Sequence, residues 1–172
     1  ARGFVHRDVK PGNLLVTEYD RDYPVLKLSD FGIARSRYDE KRTMAGTEAA
    51  GTPRYMAPEQ FLIKTHLIGP ATDLYALGCV IIEWINGEPL FPGVGSPVLI
   101  GFKHVNEALP RLKPTFPLPP GFGTWIERLT RKSPEERFQF AAEALAAFPG
   151  ETAPPPEVTV STRMTAAVAP RL

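Results

Sequence analysis

The sequence predicts a mainly α fold that carries one short β-hairpin. Two observations set that class. The stretch Leu74 to Ile85 is apolar nearly all round, with Leu74, Ala76, Leu77, Val80, Ile81, Ile82 and Ile85. A helix of that kind sits inside a core and not on a surface. Earlier, two short β-prone runs, Leu14–Thr17 and Val25–Leu28, flank the link Glu18–Pro24, which contains Asp20, Asp22 and Pro24. That link has turn chemistry, so the two runs pair as a hairpin.

The hairpin is entered from HRDVKPGNLLV, His6 to Val16, which brings an acid (Asp8), a cation (Lys10) and an amide (Asn13) close together. Pro11 lacks a backbone donor and Gly12 frees the next dihedral, so the segment reads as a loop. A loop aims three polar side chains at one point, where a helix would spread them around its circumference. The apolar run Leu14 to Val16 anchors it to a strand. We read it as a catalytic loop. Ser29-Asp30-Phe31-Gly32 follows the second strand directly. It fixes a carboxylate at a strand end, and the glycine frees the chain beyond it. For Asp8, Asn13 and Asp30 the plainer reading is turn and cap chemistry, which their joint placement disfavours.

Arg35 to Thr52 is polar and without period, a long loop of the kind that is usually functional; it runs into GTPRYMAPE, Gly51 to Glu59. Thr72 is the expected N-cap of a helix from Asp73 to Asn86, closed by Gly87. Ser96-Pro97 starts the next helix, to about Leu109. Pro110 to Gly123 is proline-rich loop, Thr124 to Lys132 a short amphipathic helix, Ser133 to Arg137 a link, and Phe138 to Phe148 an Ala-rich helix. Phe4 and Val5 suggest a short lead-in strand. From Pro149 to Leu172 the Pro/Ala/Ser/Thr composition predicts a flexible tail or linker, leaving one folded domain over residues 1–148.

Twenty basic and nineteen acidic residues nearly cancel in the 172-residue chain, so charge gives no case for nucleic acid or an anionic membrane. The lone Cys79 lies in an apolar stretch and reads as a small core residue. It fits a reducing compartment, so a cytoplasmic site is expected. Leu74 to Ile85 contains Glu83 and is too short to span a bilayer. Ala1 to Val5 run straight into the loop without an initiator Met, and the chain is expected to be part of something longer, with membrane attachment only through that longer chain. Gly93-Val94-Gly95 reads as a turn and not a phosphate loop. His66 and His104 have no partners at ligand spacing and read as surface or loop histidines. Trp84 and Trp125 read as core.

These motifs, in this order, resemble the large C-terminal lobe of a eukaryotic-like (Hanks-type) serine/threonine protein kinase. HRDVKPGN is similar to the catalytic loop. Asp30-Phe31-Gly32 and Ala57-Pro58-Glu59 are similar to the two ends of the activation segment, Asp73 to Gly78 to the start of the central helix, and Arg137 to a late arginine. DFGIAR and APEQ resemble the bacterial branch. The resemblance covers residues 1 to about 148.

It implies transfer of the ATP γ-phosphate to Ser/Thr hydroxyls of protein substrates. Asp8 would orient or accept the hydroxyl proton, and Lys10 would stabilise charge on the phosphoryl group. Asn13 and Asp30 would bind Mg²⁺, or Mn²⁺ in its place, and Leu15 would lie beneath the adenine. His6 and Phe31 would stack in an apolar spine. Asp73 would accept backbone hydrogen bonds from His6-Arg7, and Glu59 and Arg137 would form a partly buried ion pair. Arg7, with Arg35, would read a phosphate on Thr43 or Thr47. Thr52 would touch Asp8 and Lys10, and Pro53 to Met56 would form the pocket for the substrate residue beside the acceptor.

The family's Gly-rich loop, strand lysine and helix glutamate have no counterpart in these residues, so the N-terminal lobe is a missing partner and the fragment alone is expected to be inactive. A pseudokinase or regulatory binding module is the alternative, and a small-molecule phosphotransferase a more remote one.

Overall fold

The hairpin is longer than its sequence pattern suggests. In the computed structural model, which describes residues 5–20, 23–30 and 53–150, β1 (Leu14–Asp20) and β2 (Tyr23–Leu28) pair antiparallel. Leu14 lies opposite Leu28 and Thr17 opposite Val25; beyond a bulge between Thr17 and Tyr19, Tyr19 faces Pro24. The expected link Glu18–Pro24 is therefore mostly ladder. Pro24 is tolerated because each strand of a two-stranded sheet has an unpaired edge, and the bulge absorbs the extra residue. A 3-10 turn at Pro11–Asn13 leads into β1. The Ser29 amide donates to the Asn13 carbonyl at 2.8 Å, carrying the register one step past the strands. Val5 belongs to no strand.

A second 3-10 turn, Pro53–Tyr55, precedes α1 (Pro58–Phe61), a helix too short to leave a periodic signal in the sequence. Pro58 opens it, and the Gln60 side chain accepts from the Ala57 amide at 2.9 Å. It ends with the Lys64 amide on the Glu59 carbonyl at 3.0 Å, while Ile63 sits at φ 53°. That left-handed position closes many helices and normally belongs to glycine; a β-branched residue is strained there. Ile63 is 51% exposed, so little burial offsets the strain. Ile63→Gly is expected to raise stability by about 0.5–1 kcal/mol, the relieved strain less the added entropy of the unfolded chain. A urea midpoint that falls instead would contradict this.

The central helix α2 spans Pro70–Asn86, starting before the expected Asp73. Gly69 is its N-cap and Pro70 its first residue. Thr72, expected as the cap, stands in the first turn and reaches back, its Oγ1 accepting from the Gly69 amide at 3.1 Å. Only this back-reaching half of a capping box forms, since Gly69 has no side chain, and a threonine near a helix start reads in sequence as the cap itself. Gly87 closes the helix at φ 65°. Tyr75, Cys79 and Val80 are fully buried, but Trp84 is half exposed and not the core residue expected.

Next, α3 (Pro97–Asn106) is capped by the Ser96 hydroxyl and stops before Leu109, because Glu107 turns to extended backbone. Gly121, at φ 86°, turns the chain into α4 (Phe122–Leu129), which therefore begins ahead of Thr124 and ends ahead of Lys132. The last helix, α5 (Ala141–Ala146), is shorter than Phe138–Phe148. Its N-terminal part is lost because Phe138 is drawn into the core, and the Gln139 amide is satisfied by the Glu143 carboxylate at 2.8 Å.

The core lies between α2 and α4, lined by Tyr75, Cys79, Val80, Ile126 and Leu129. Gly78 permits their approach: a Cβ there would stand 2.5 Å from the Thr130 methyl. Among the described residues, no helix is long and apolar enough to cross a membrane.

Candidate active site

Asp8, Lys10 and Asn13 form one hydrogen-bonded unit. Lys10 Nζ lies 2.9 Å from Asp8 Oδ2. The Asn13 side-chain amide donates to the Asp8 carbonyl at 2.8 Å and more weakly to Asp8 Oδ2 at 3.4 Å. Both partners are acceptors, so the amide's orientation is fixed and its carbonyl oxygen is left to serve as a ligand.

The loop is held from two sides. From α2, Asp73 accepts the His6 amide on Oδ2 and the Arg7 amide on Oδ1, both at 2.7 Å. Burial outweighs these two donors and raises the Asp73 carboxyl above its usual range. From the hairpin side, His6 Nε2 meets the Ser29 carbonyl at 2.8 Å, while His6 Nδ1 accepts the Asp8 amide at 3.3 Å. A carbonyl only accepts, so one neutral tautomer, protonated on Nε2, satisfies both contacts. His6 thus ties the loop to the end of β2, and the 13–29 backbone contact does the same.

Asp30 follows immediately and is exposed, at φ 54°. Arg7 stands at φ 64°. These two left-handed residues flank the site, and at Arg7 the bonds of its amide to Asp73 and of its carbonyl to Gln60 sustain the strain. The hairpin register therefore brings Asn13, before β1, and Asp30, after β2, to the same end of the sheet. An amide oxygen and a carboxylate are the hard donors that a small divalent cation prefers. Among the described residues, no group of three or more His, Cys, Asp or Glu could hold a metal. On the hairpin, Leu15 is 50% exposed, and Val16 and Leu26 are also exposed. Phe31, Arg35, Thr43, Thr47 and Thr52 lie outside the described residues, as does the chain from 151 onward.

A buried ion pair anchors the start of α2, the helix that carries Asp73. Arg137 Nη1 and Nη2 meet Glu59 Oε1 and Oε2, each at 2.9 Å. The side chains are 0% and 1% exposed, deeper than the partial burial expected. Every remaining donor of the guanidinium finds a carbonyl: Arg131 and Lys132 at 2.7 and 2.9 Å, and Ala71 at 3.1 Å. Thr72 Oγ1 adds a hydrogen bond to Glu59 Oε1 at 2.8 Å. The pair thus joins α1, the start of α2 and the link before α5.

Two residues carry more than their sequence positions suggested. Glu83, the single acid within the apolar stretch Leu74 to Ile85, accepts the Tyr55 hydroxyl at 2.6 Å. Burial and that carboxylate push the Tyr55 hydroxyl well above its ordinary value. The signal was present as a single acid in an apolar helix, a residue that needs a partner. His104, expected at the surface, is fully buried. Burial is the main reason its pKa is lowered to about 4. Unfolded, it titrates near 6.5, so the unfolded chain binds more protons between those values. His104's contribution is therefore complete above about pH 6.5 and lost as pH falls toward 4, by about 3 kcal/mol in all. Urea midpoints of the wild-type chain and His104→Gln, compared at pH 4.5 and 7, should converge at the lower pH. A constant gap would contradict this.

A family model described as the protein kinase domain matches residues 1–146. Similar curated proteins include the serine/threonine-protein kinase PknB of Mycolicibacterium smegmatis, 36% identical over 84% of this chain and 22% of that protein. PknA of Mycobacterium tuberculosis is 39% identical over 90% of this chain and 34% of its own length. PknE of the same species is 41% identical over 86% and 25%. This chain therefore spans about a fifth to a third of the curated relatives it matches. With the kinase-domain match covering all but the last residues, the chain belongs to the protein kinase family.

Proposed function

We propose that this chain supplies the catalytic loop and the cation-binding carboxylate of a protein kinase domain that transfers the ATP γ-phosphate to Ser/Thr hydroxyls of proteins. The observation that carries the reading is the joined unit of Asp8, Lys10 and Asn13 on a loop fixed by Asp73. Phosphoryl transfer asks for positioning and charge neutralisation more than for covalent help. Asp8 orients the acceptor hydroxyl and takes up its proton. Its carboxylate is aimed by Lys10 Nζ, which also faces the charge that develops on the transferred group. Asn13 and Asp30 hold Mg²⁺ through oxygen, with Mn²⁺ able to replace it. Held there, the ion would supply neutralisation of phosphate charge. Leu15, apolar and half exposed, offers a surface for the adenine ring. Pro53 to Met56 receive the substrate chain beside the acceptor, and Thr43 or Thr47 carries the activating phosphate read by Arg7 and Arg35.

A Gly-rich phosphate loop and a strand lysine to hold ATP are absent from these 172 residues, so the chain alone is expected to transfer no phosphate. The test uses the longest natural chain that contains it, with γ-labelled ATP, Mg²⁺, a Ser/Thr protein mixture and small alcohols as acceptors. Label on protein supports the reading. Label confined to small alcohols, or none from a chain with a folded N-terminal lobe, would refute it.

A further inference from the structure

Among the described residues, His104 is a fully enclosed polar side chain that the mechanism does not use. It lies on α3 and is 0% exposed. Its ring stacks on Phe61 of α1 at 5.7 Å and meets the edges of Phe91 at 5.0 Å and Tyr75 at 5.8 Å. Gly101, one turn earlier, brings α3 close: a Cβ there would stand 2.7 Å from the Phe61 ring. The His104 carbonyl accepts from Lys132 Nζ at 2.7 Å.

Both ring nitrogens are used, and their roles follow from the partners. Nε2 lies 2.7 Å from the Arg54 carbonyl, which only accepts, so Nε2 carries the proton. Nδ1 is then an acceptor, and the Tyr75 hydroxyl donates to it at 2.9 Å. The burial that keeps the ring neutral prevents a second proton from disturbing this order. Tyr75 belongs to α2, and Arg54 is the middle residue of the Pro53–Tyr55 turn. That turn is tethered again one residue on, where Tyr55 reaches Glu83 of α2 at 2.6 Å. Its internal bond runs from the Met56 amide to the Pro53 carbonyl at 3.1 Å.

We infer that His104 is a positioning residue for the substrate-side turn Pro53–Tyr55: oriented by the Tyr75 hydroxyl, it clamps the Arg54 carbonyl and so fixes the segment against which an acceptor peptide lies. A merely structural histidine would need only its ring. Here the polar edge reaches the backbone of the turn itself. The inference rests on the proposed reading of that turn as the substrate-side segment.

The test compares wild type, His104→Phe, His104→Gln and Tyr75→Phe in the longest natural chain. Phenylalanine keeps the ring packing and loses the donor, whereas the glutamine amide can reach the position of Nε2. One readout is hydrogen–deuterium exchange over residues 53–57, which needs no activity. The other is the split between peptide KM and kcat. His104→Phe should speed exchange in that segment about tenfold and raise peptide KM by a similar factor, as expected for one lost hydrogen bond, with ATP KM little changed. His104→Gln should recover most of both, and Tyr75→Phe should fall between. If His104→Phe fails to fold, Tyr75→Phe against wild type carries the comparison. Exchange over 53–57 that is unchanged in the folded variants, or glutamine no better than phenylalanine, would overturn the inference. A wild-type chain that transfers no phosphate refutes the functional reading instead, and exchange still decides whether His104 holds the turn.

Discussion

Glu59→Ala should lower the stability of the chain by about 3–5 kcal/mol, the cost of leaving the buried Arg137 charge without its partner. Against a total stability of roughly 5–15 kcal/mol, that brings a large part of the population to the edge of unfolding. The geometry supports the upper part of the range. Both terminal guanidinium nitrogens, Nη1 and Nη2, engage the carboxylate bidentately, and neither side chain reaches water. The Arg137 side chain is further held by three carbonyls and lies over the Tyr75 ring at 4.7 Å, so it has no easy path to solvent. Replacing both partners, as in Glu59→Leu with Arg137→Met, should recover part of the loss by removing the unpaired charge. Recovery should stay incomplete, because the carbonyls of Ala71, Arg131 and Lys132 then lose their donor. Urea unfolding of the single and double variants checks this. A double variant less stable than Glu59→Ala would show that the carbonyl contacts outweigh the charge pairing.

The second large effect is expected at Asp73. Its two oxygens accept the consecutive amides of His6 and Arg7, and the second of these residues sits in the left-handed region. Charge-assisted hydrogen bonds contribute roughly 1.5–3 kcal/mol each, though the Arg7 amide keeps some access to water. Asp73→Ala should therefore cost about 2–4 kcal/mol. In a longer active chain it should also reduce phosphotransfer by about a hundredfold, since the loop proposed as catalytic would no longer be held in one conformation. Asp73→Asn is expected to do nearly as badly. An amide keeps one acceptor oxygen but turns an NH₂ toward a backbone N–H, so one contact becomes a clash of donors. An Asp73→Asn variant with wild-type stability and rate would refute the assignment of both oxygens. The measurement is a pair of urea curves beside single-turnover rates.

How much of this was legible in the sequence depended on whether the signal was local. The loop at His6–Asn13 was legible because Pro11 and Gly12 exclude a helix outright, and the hairpin because β-prone residues flank a turn-rich link. The extent of the hairpin was not, since Pro24 is a poor strand residue until the partner strand and its bulge are known. The start of α2 was misplaced by Thr72, whose hydroxyl acts in the same cap from the other side. Long-range pairing was the harder part. Nothing local tells His104 from a surface histidine: its partners, Arg54, Tyr75 and Lys132, stand far away in the chain and meet it only once α1, α2 and α3 pack. The Tyr55–Glu83 contact is of the same kind. Proximity of Asp73 to the His6–Asn13 loop entered through the resemblance to a known family, because no periodicity relates residues so far apart in the chain.

The most direct test of the account is the single-turnover rate of phosphate transfer from ATP to a Ser/Thr peptide, measured for the longest natural chain and for its Asp8→Asn variant. Asparagine preserves the size of the side chain and loses the group that takes the proton. The account predicts a rate lower by about 10²–10⁴-fold with folding unchanged. An Asp8→Asn chain that transfers phosphate within a few-fold of wild type would contradict the assignment of the loop as the catalytic centre.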